Sequence, residues 1–288
     1  MIPGSFDYHC PTSVQEAVGL LAQWGDDGRP LAGGHSLIPM MKLRLATPAH
    51  LVDLAGIADL KGIRSDGNDI VIGAMTTQHE LAQSELATGK IPLLRETTLQ
   101  IADPQVRYVG TIGGNVANGD PGNDMPAVMM CLNATYQVTG RGGERRIAAR
   151  QFYRGTYATA LQSGDLVTAV RVPLPPAGHG YAYEKLKRKI GDYATAAAAV
   201  VLTVSRGRVE SCSIGLTNVA DTALWAEEAA KILVGSTLDA ATVKRAVAAA
   251  EAITSPASDA HGPAHYRTKM AGVMLARALA RAKSRARG

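Results

Sequence analysis

Two glycine-rich strings about eighty residues apart constrain this chain more than any other feature: Ala32-Gly33-Gly34-His35-Ser36 and Thr111-Ile112-Gly113-Gly114-Asn115. Each lies beside an apolar or β-prone stretch and precedes a helix-like one. Adjacent glycines allow a positive φ and let backbone N–H groups approach an anion with no Cβ in the way. A dinucleotide carries two phosphates and a long adenosine arm, so a pair of such loops grips one where a single loop would not. The second string runs on as Ala117-Asn118-Gly119-Asp120-Pro121-Gly122-Asn123-Asp124, a polar, turn-rich continuation that reads as a ligand loop rather than a linker.

Other dinucleotide and nucleotide devices are missing from the sequence. No stretch fits G-x-G-x-x-G or the phosphate loop ending in Gly-Lys-Ser/Thr, so a Rossmann site and a nucleotide triphosphatase are both disfavoured. The cysteines Cys10, Cys131 and Cys212 are far apart with no C-x-x-C pair. That spacing argues against an iron–sulfur cluster or zinc held by this chain, and against a disulfide framework. Cys131, on an apolar helix, reads as a core residue. His261 and His265 have metal-like spacing, but Gly262-Pro263 breaks any helix between them, and no metal site is expected there. At 288 residues the chain can form one large domain or two, and its net charge of +5 fits an acidic partner, nucleic acid or a bland surface about equally. No charged-then-apolar leader opens the sequence, and the longest apolar run, 194–204, falls short of the roughly 20 residues that span a bilayer. A cytoplasmic protein is expected.

Local patterns give an α+β reading. Ser13-x-x-Glu16 has capping-box spacing, with Val14, Ala17, Val18, Leu21 and Trp24 following at helical intervals until Gly25. Residues 30–32 read as a short buried strand, 51–53 and 69–74 as further strands, 92–102 and 125–132 as helices. Strands follow at 135–139, 145–148 and 166–172, with Gly140-Arg141-Gly142-Gly143 as a hairpin turn. The Pro- and Gly-rich segment 173–180 is the best linker. Beyond it, 181–204 and 209–219 read as strands about a turn at 205–208, and 223–234, 240–253 and 263–286 as alanine-rich helices. The expected organisation is a ligand domain over 1–177, with subdomains of roughly 1–56 and 57–177, and a smaller domain over 178–288 with an antiparallel sheet and helices.

The segments 31–42 and 111–127 closely resemble the FAD-binding subunit of the xanthine-oxidase family of molybdenum hydroxylases. The resemblance runs along the whole chain, and two strings, 119–126 and 184–193, look like one branch of that family specifically. The resemblance implies a non-Rossmann, two-loop FAD-binding domain. In it Ala32, Gly33, Gly34, His35 and Ser36, leading into Leu37, wrap the pyrophosphate with backbone N–H groups. Thr111, Ile112, Gly113, Gly114 and Asn115 do so from the other side, with the Ser36 and Thr111 hydroxyls as extra donors and Asn118 close by. Asp124 matches a carboxylate that anchors the adenosine ribose, a role suited to an acceptor. Ile101, with Ala102, matches an apolar position near the flavin ring. Leu166 or Val167 and Lys185 match positions close to the isoalloxazine, where a cation stabilises added negative charge, and Tyr193 is placed to shield one ring face. Asp120 stands where many relatives have a small hydroxyl residue, so no role comes to it from the family.

The resemblance also implies partners. This chain would carry FAD alone, with [2Fe–2S] clusters on a small subunit and the molybdenum cofactor on a large one, arranged as a dimer of heterotrimers. Electrons would leave to an external acceptor, a quinone or cytochrome, with the complex in the cytoplasm or at the inner face of the cell membrane. No catalytic residue is expected on this chain. Three other readings compete: the FAD subunit of a hydroxylase acting on a purine or heterocycle, a stand-alone FAD oxidoreductase, and a basic nucleic-acid-binding module using residues 185–189. The last lacks interleaved aromatics for base stacking. For residues 185–189 a solvated strand face is the plain alternative, and for the C-terminal basic residues Arg277, Arg281, Lys283, Arg285 and Arg287 a frayed end.

Overall fold

The computed structural model describes residues 2–287. Ser13 caps the first helix, Val14–Trp24, by accepting the Glu16 N–H at 3.2 Å, while the Glu16 carboxylate reaches one residue further out to the Thr12 N–H at 2.8 Å. Val14, Ala17, Val18 and Leu21 bury one face of this helix, and Gly25, at φ +55°, closes it. It packs on a parallel sheet of three strands in the order Asp7–His9, His50–Asp53, Gly28–Leu31. The strand leading to the first glycine string differs from expectation. Pro30 is exposed and Leu31 half-buried, because Gly28–Leu31 is an edge strand, where a residue without an N–H is tolerated.

The second sheet is antiparallel, with strands Ile63–Asp66, Asp69–Gly73, Leu166–Pro173, Thr135–Gly140 and Gly143–Ala148 side by side. Gly140 pairs with Gly143, leaving Arg141-Gly142 as the hairpin turn. Short helices stack over this sheet, among them Gln78–Gln83, Pro92–Thr98, Pro104–Val109, Ile112–Ala117 and Asp124–Cys131. Every residue of Asp124–Cys131 is buried, and the Cys131 thiol donates to the Ser213 carbonyl at 3.2 Å. The helix read over 92–102 stops at Thr98. Ala102 takes φ +43°, which no helix allows, and the chain turns there into the Asp103-capped helix Pro104–Val109.

The third sheet is antiparallel in the order Gly180–Leu186, Ala196–Ser205, Arg208–Thr217, Leu224–Trp225. The stretch 181–204 is therefore two strands separated by the loop 187–195, and Leu224–Trp225 is a short strand ahead of the helix Glu227–Leu233. Alanines explain how this sheet is covered on both faces. Ala196 and Ala198 face a core shared with the helices Ala240–Ala252 and Ala264–Arg285, while Ala197 and Ala199 join the core of the second sheet. Alternation along a strand sends neighbours to opposite faces, so small side chains let two layers close on one strand.

The last helix is held down rather than frayed. Arg285 donates to Glu96 Oε2 at 2.7 Å and to the Tyr181 carbonyl at 2.8 Å, with its guanidinium 4.5 Å from the Tyr181 ring centre. Arg281 binds Glu184 and lies 3.2 Å from Glu96, and Lys283 donates to the Thr237 carbonyl at 2.7 Å. Glu96 also accepts the Tyr183 N–H at 2.7 Å. One carboxylate thus joins the helix Pro92–Thr98 to both the first strand and the last helix of the C-terminal sheet. No described helix is long and apolar enough to cross a membrane.

Candidate functional site

The two glycine strings lie against each other, and they differ in form. Residues 32–36 make an open turn from the edge strand into the helix Leu37–Lys42, with Gly34 at φ +70°. No acceptor within the described residues takes the N–H groups of Gly34, His35, Ser36 and Leu37. Consecutive free N–H groups around a left-handed residue form an anion-binding concavity. Gly33 is glycine for another reason: a Cβ there would collide with the Val109 carbonyl and stand 2.8 Å from Gly110 Cα. His35 is exposed, and its side chain makes no hydrogen bond among the described residues.

The second string is the start of a helix, not a loop. Thr111 is the N-cap of Ile112–Ala117, and its Oγ1 accepts the Gly114 N–H at 3.0 Å. Ile112 N–H donates to the Thr76 carbonyl at 2.9 Å, Gly113 to Ala74 at 2.8 Å, and Asn115 to Thr111 at 3.1 Å. The expectation of a second run of open N–H donors is thus corrected, since their acceptors lie inside the protein. Gly113 and Gly114 keep helical φ values and are there for clearance. A Cβ on Gly113 would lie 2.5 Å from Ala74 Cβ, and one on exposed Gly114 would lie 3.0 Å from Thr111 Oγ1 and 3.7 Å from Ala32 Cβ. Asn115 ties this helix to the next, its Oδ1 accepting from the Met125 N–H at 3.3 Å and its carbonyl from Asn123 Nδ2 at 2.8 Å.

Beyond that link stands a buried ionic pair. Asp124 is 4% exposed, and its Oδ2 accepts Lys185 Nζ at 2.8 Å while its Oδ1 accepts the Tyr183 hydroxyl. Lys185 also donates to the Gln100 carbonyl at 3.3 Å, as does Lys187 at 3.2 Å. Burial, then the Asp124 charge, pushes the Tyr183 phenol well above its ordinary value, and burial, then Lys185, lowers Lys187. Asp124, expected to face ribose hydroxyls, is therefore turned inward onto an opposite charge and a phenol. Removing one partner from such a pair costs about 3–5 kcal/mol, because it leaves a charge buried alone. The Lys185 side chain is 1% exposed, so the solvated-face reading does not hold for it, although Arg188 and Lys189 are exposed.

The remaining expected residues divide. Ile101 is buried beside this pair, its carbonyl accepting from Arg107 at 2.8 Å, and half-buried Ala102 makes the strained turn that presents the Gln100 carbonyl to both lysines. Tyr193 lies against Gly122, next to Asp120. Leu166 and Val167 are not open to a ligand: Leu166 packs with Val14, Ile57 and Met75, and Val167 in the main core. Their strand packs against the second glycine helix, and its Thr168 carbonyl holds the Ala74 N–H at 3.0 Å. Tyr183 and Gln100 escaped the sequence reading. Tyr183 had a signal, since Tyr183 and Lys185 stand two apart on the strand Gly180–Leu186 and so share one face. Gln78, buried with both amide atoms unpartnered, lies beside the Thr77–Thr111 bridge and had none.

An open N–H run for phosphates, a buried lysine behind a strained turn, and the buried Asn118 Nδ2 left without a partner at the end of the second glycine helix together suit a flavin dinucleotide. The chain belongs to the family described as the FAD binding domain in molybdopterin dehydrogenase, which matches residues 4–175, and residues 181–282 match the CO dehydrogenase flavoprotein C-terminal domain. It is thus a flavoprotein of the oxidoreductases, with FAD as cofactor. It is 68% identical over 287 residues to the carbon monoxide dehydrogenase medium chain of Afipia carboxidovorans, covering 100% of each chain. Identity to the medium chain of Hydrogenophaga pseudoflava is 50%, over 97% of each. Among solved structures, reconstituted CO dehydrogenase from Oligotropha carboxidovorans superposes with a TM-score of 0.99 at 68% identity, over 99% of this chain and 100% of that one.

Proposed function

We propose that this chain is the FAD subunit of a carbon monoxide dehydrogenase, working with an iron–sulfur subunit and a molybdenum subunit as a dimer of heterotrimers. The observation that carries the reading is the 68% identity extending over the whole chain, both domains included. Carbon monoxide would be oxidised to carbon dioxide on the molybdenum subunit, and its electrons would pass through [2Fe–2S] clusters to this subunit. FAD, when bound, supplies the coupling of one-electron arrivals to two-electron delivery. A quinone or cytochrome would be the external acceptor, with the complex in the cytoplasm or at the inner face of the membrane.

The chain's own residues divide the work. The N–H groups of Gly34, His35, Ser36 and Leu37 would hold the pyrophosphate, with Gly114 keeping the opposite side clear and the Ser36 and Thr111 hydroxyls within the same wall. Asn118 would give its unpartnered amide to the cofactor. Lys185, kept in place by Asp124 and the Gln100 carbonyl, would present a fixed positive charge where electron density accumulates. Such preorganised charge needs no rearrangement when the charge arrives. Tyr193 would cover one face of the site and Ile101 the apolar wall.

A visible spectrum of the complex purified from its host, before and after anaerobic carbon monoxide, tests the reading. Flavin absorbance that bleaches supports it. Flavin that stays oxidised in an intact, metal-replete complex would move the substrate elsewhere while leaving the cofactor in place.

A further inference from the structure

Asp120 lies outside both glycine strings, yet its carboxylate joins its own turn to a second segment, and a third segment lies against that turn. Its Oδ1 accepts the Gly122 N–H at 2.8 Å, closing the turn 119–123, and its Oδ2 accepts the Tyr157 hydroxyl at 3.2 Å from the small hairpin Tyr153–Gly155/Ala158–Thr159. Tyr193 arrives from the C-terminal domain and lies on Gly122. A Cβ at Gly122 would stand 2.9 Å from Tyr193 Cδ1 and 3.2 Å from Asp120 Oδ1, so this approach requires glycine. Tyr157 has φ +57°, a region that residues with a Cβ enter only when their surroundings impose it, and its own N–H donates to the Gly119 carbonyl at 2.8 Å. The strain is stored where the hairpin must turn a phenol towards Asp120. Burial first, and then the Asp120 charge, pushes both the Tyr157 and the Tyr193 phenols upward, so both stay protonated beside the carboxylate.

Tyr193 belongs to the loop 187–195, whose base is closed by the Thr195 N–H on the Leu186 carbonyl at 2.7 Å. Its other flank is tied by Arg188, which binds Asp192 at 3.1 Å and the Ala260 carbonyl at 3.0 Å. Between these ties, Lys189 and Ile190 project into solvent. We propose that Asp120 is a positioning residue that pins Tyr193, and with it the loop 187–195, across the turn 119–123, so that the tyrosine ring stays at the rim of the cofactor site. The pinning itself stands on the geometry, while its consequence for FAD rests on the function proposed above.

Trypsin tests the pinning on the full chain, because Lys187, Arg188 and Lys189 lie in the loop. Asp120→Ala should speed cleavage at these bonds about tenfold, and Tyr157→Phe, which removes one hydroxyl and nothing else, about threefold. New cleavage spread over the whole Asp120→Ala chain would report misfolding, and Tyr157→Phe then decides. In the FAD-loaded complex, both variants should keep FAD at the wild-type ratio while iodide quenches the bound flavin severalfold more strongly. Loop cleavage and quenching at wild-type rates in Tyr157→Phe and in folded Asp120→Ala would overturn the proposal. A wild-type complex lacking FAD would instead remove the proposed function and leave the cleavage result to judge the pin.

Discussion

The same dipeptide, Gly-Gly, is put to different uses in the two strings. At Gly33-Gly34 the second glycine supplies a left-handed φ and leaves a row of N–H groups open. At Gly113-Gly114 the backbone is helical and its donors are consumed, so glycine supplies only room: Gly113 lets the helix sit on Ala74, and Gly114 keeps the surface beside Ala32 bare. Glycine in a sequence therefore reports either a conformation or a clearance, and only the neighbours tell which.

That contrast can be broken by substitution. The largest effect is expected at Gly113→Ala, whose added methyl meets Ala74 Cβ at 2.5 Å and the Ala74 carbonyl at 2.6 Å, both fixed by backbone. Overpacking against backbone should cost about 3 kcal/mol, read as a lowered denaturation midpoint. Gly114→Val should leave that midpoint within about 1 kcal/mol and weaken FAD binding at least about tenfold, measured as flavin per chain on purification and by titration. Stoichiometric, tightly held FAD in this variant would remove the second string from the site. Gly34→Ala falls between in character, since the alanine must hold φ +70° at a cost of about 1–2 kcal/mol and meets the movable Ile38 side chain at 2.7 Å. It should perturb FAD binding more than folding, as calorimetry of the two processes would show.

The smallest expected effect lies in pH dependence beside the second string. The Tyr183 phenol is held neutral on Asp124 well above the ordinary tyrosine value of about 10. An unfolded chain ionises that phenol first. The stability tied to it is therefore complete below pH 10 and is lost as pH climbs through the folded-state value. Melts between pH 9 and 11.5 should show wild type losing stability more steeply than Tyr183→Phe, with equal slopes removing the link between the phenol and Asp124.

Much of the fold was legible because its signals are local. Ser13 and Gly25 bracket a helix, Gly140 to Gly143 spells a two-residue hairpin, and the family strings mark both halves of the chain. The site was legible only where a residue's type dictates its use. The second glycine string looked like the first because nothing within five residues reveals that Thr76 and Ala74, on a neighbouring segment, take its N–H groups. Asp124 matched an acceptor for hydroxyls, and nothing near it in sequence announces that one of its oxygens takes Tyr183 and the other Lys185, some sixty residues away. Arg281 and Arg285 looked free for the same reason, since their partner Glu96 lies on a helix of the other domain.

That clasp bears on the order in which the protein is made. The strand Gly180–Leu186, which presents Tyr183 and Lys185, is bracketed by Glu96 from one side and by Arg281 and Arg285 from the other. Ribosomes deliver Glu96 and the strand early and the arginines nearly a hundred residues later, and contacts this distant in sequence form late and slowly. The strand that carries the site's lysine is thus clasped from its second side only once the last helix has been made.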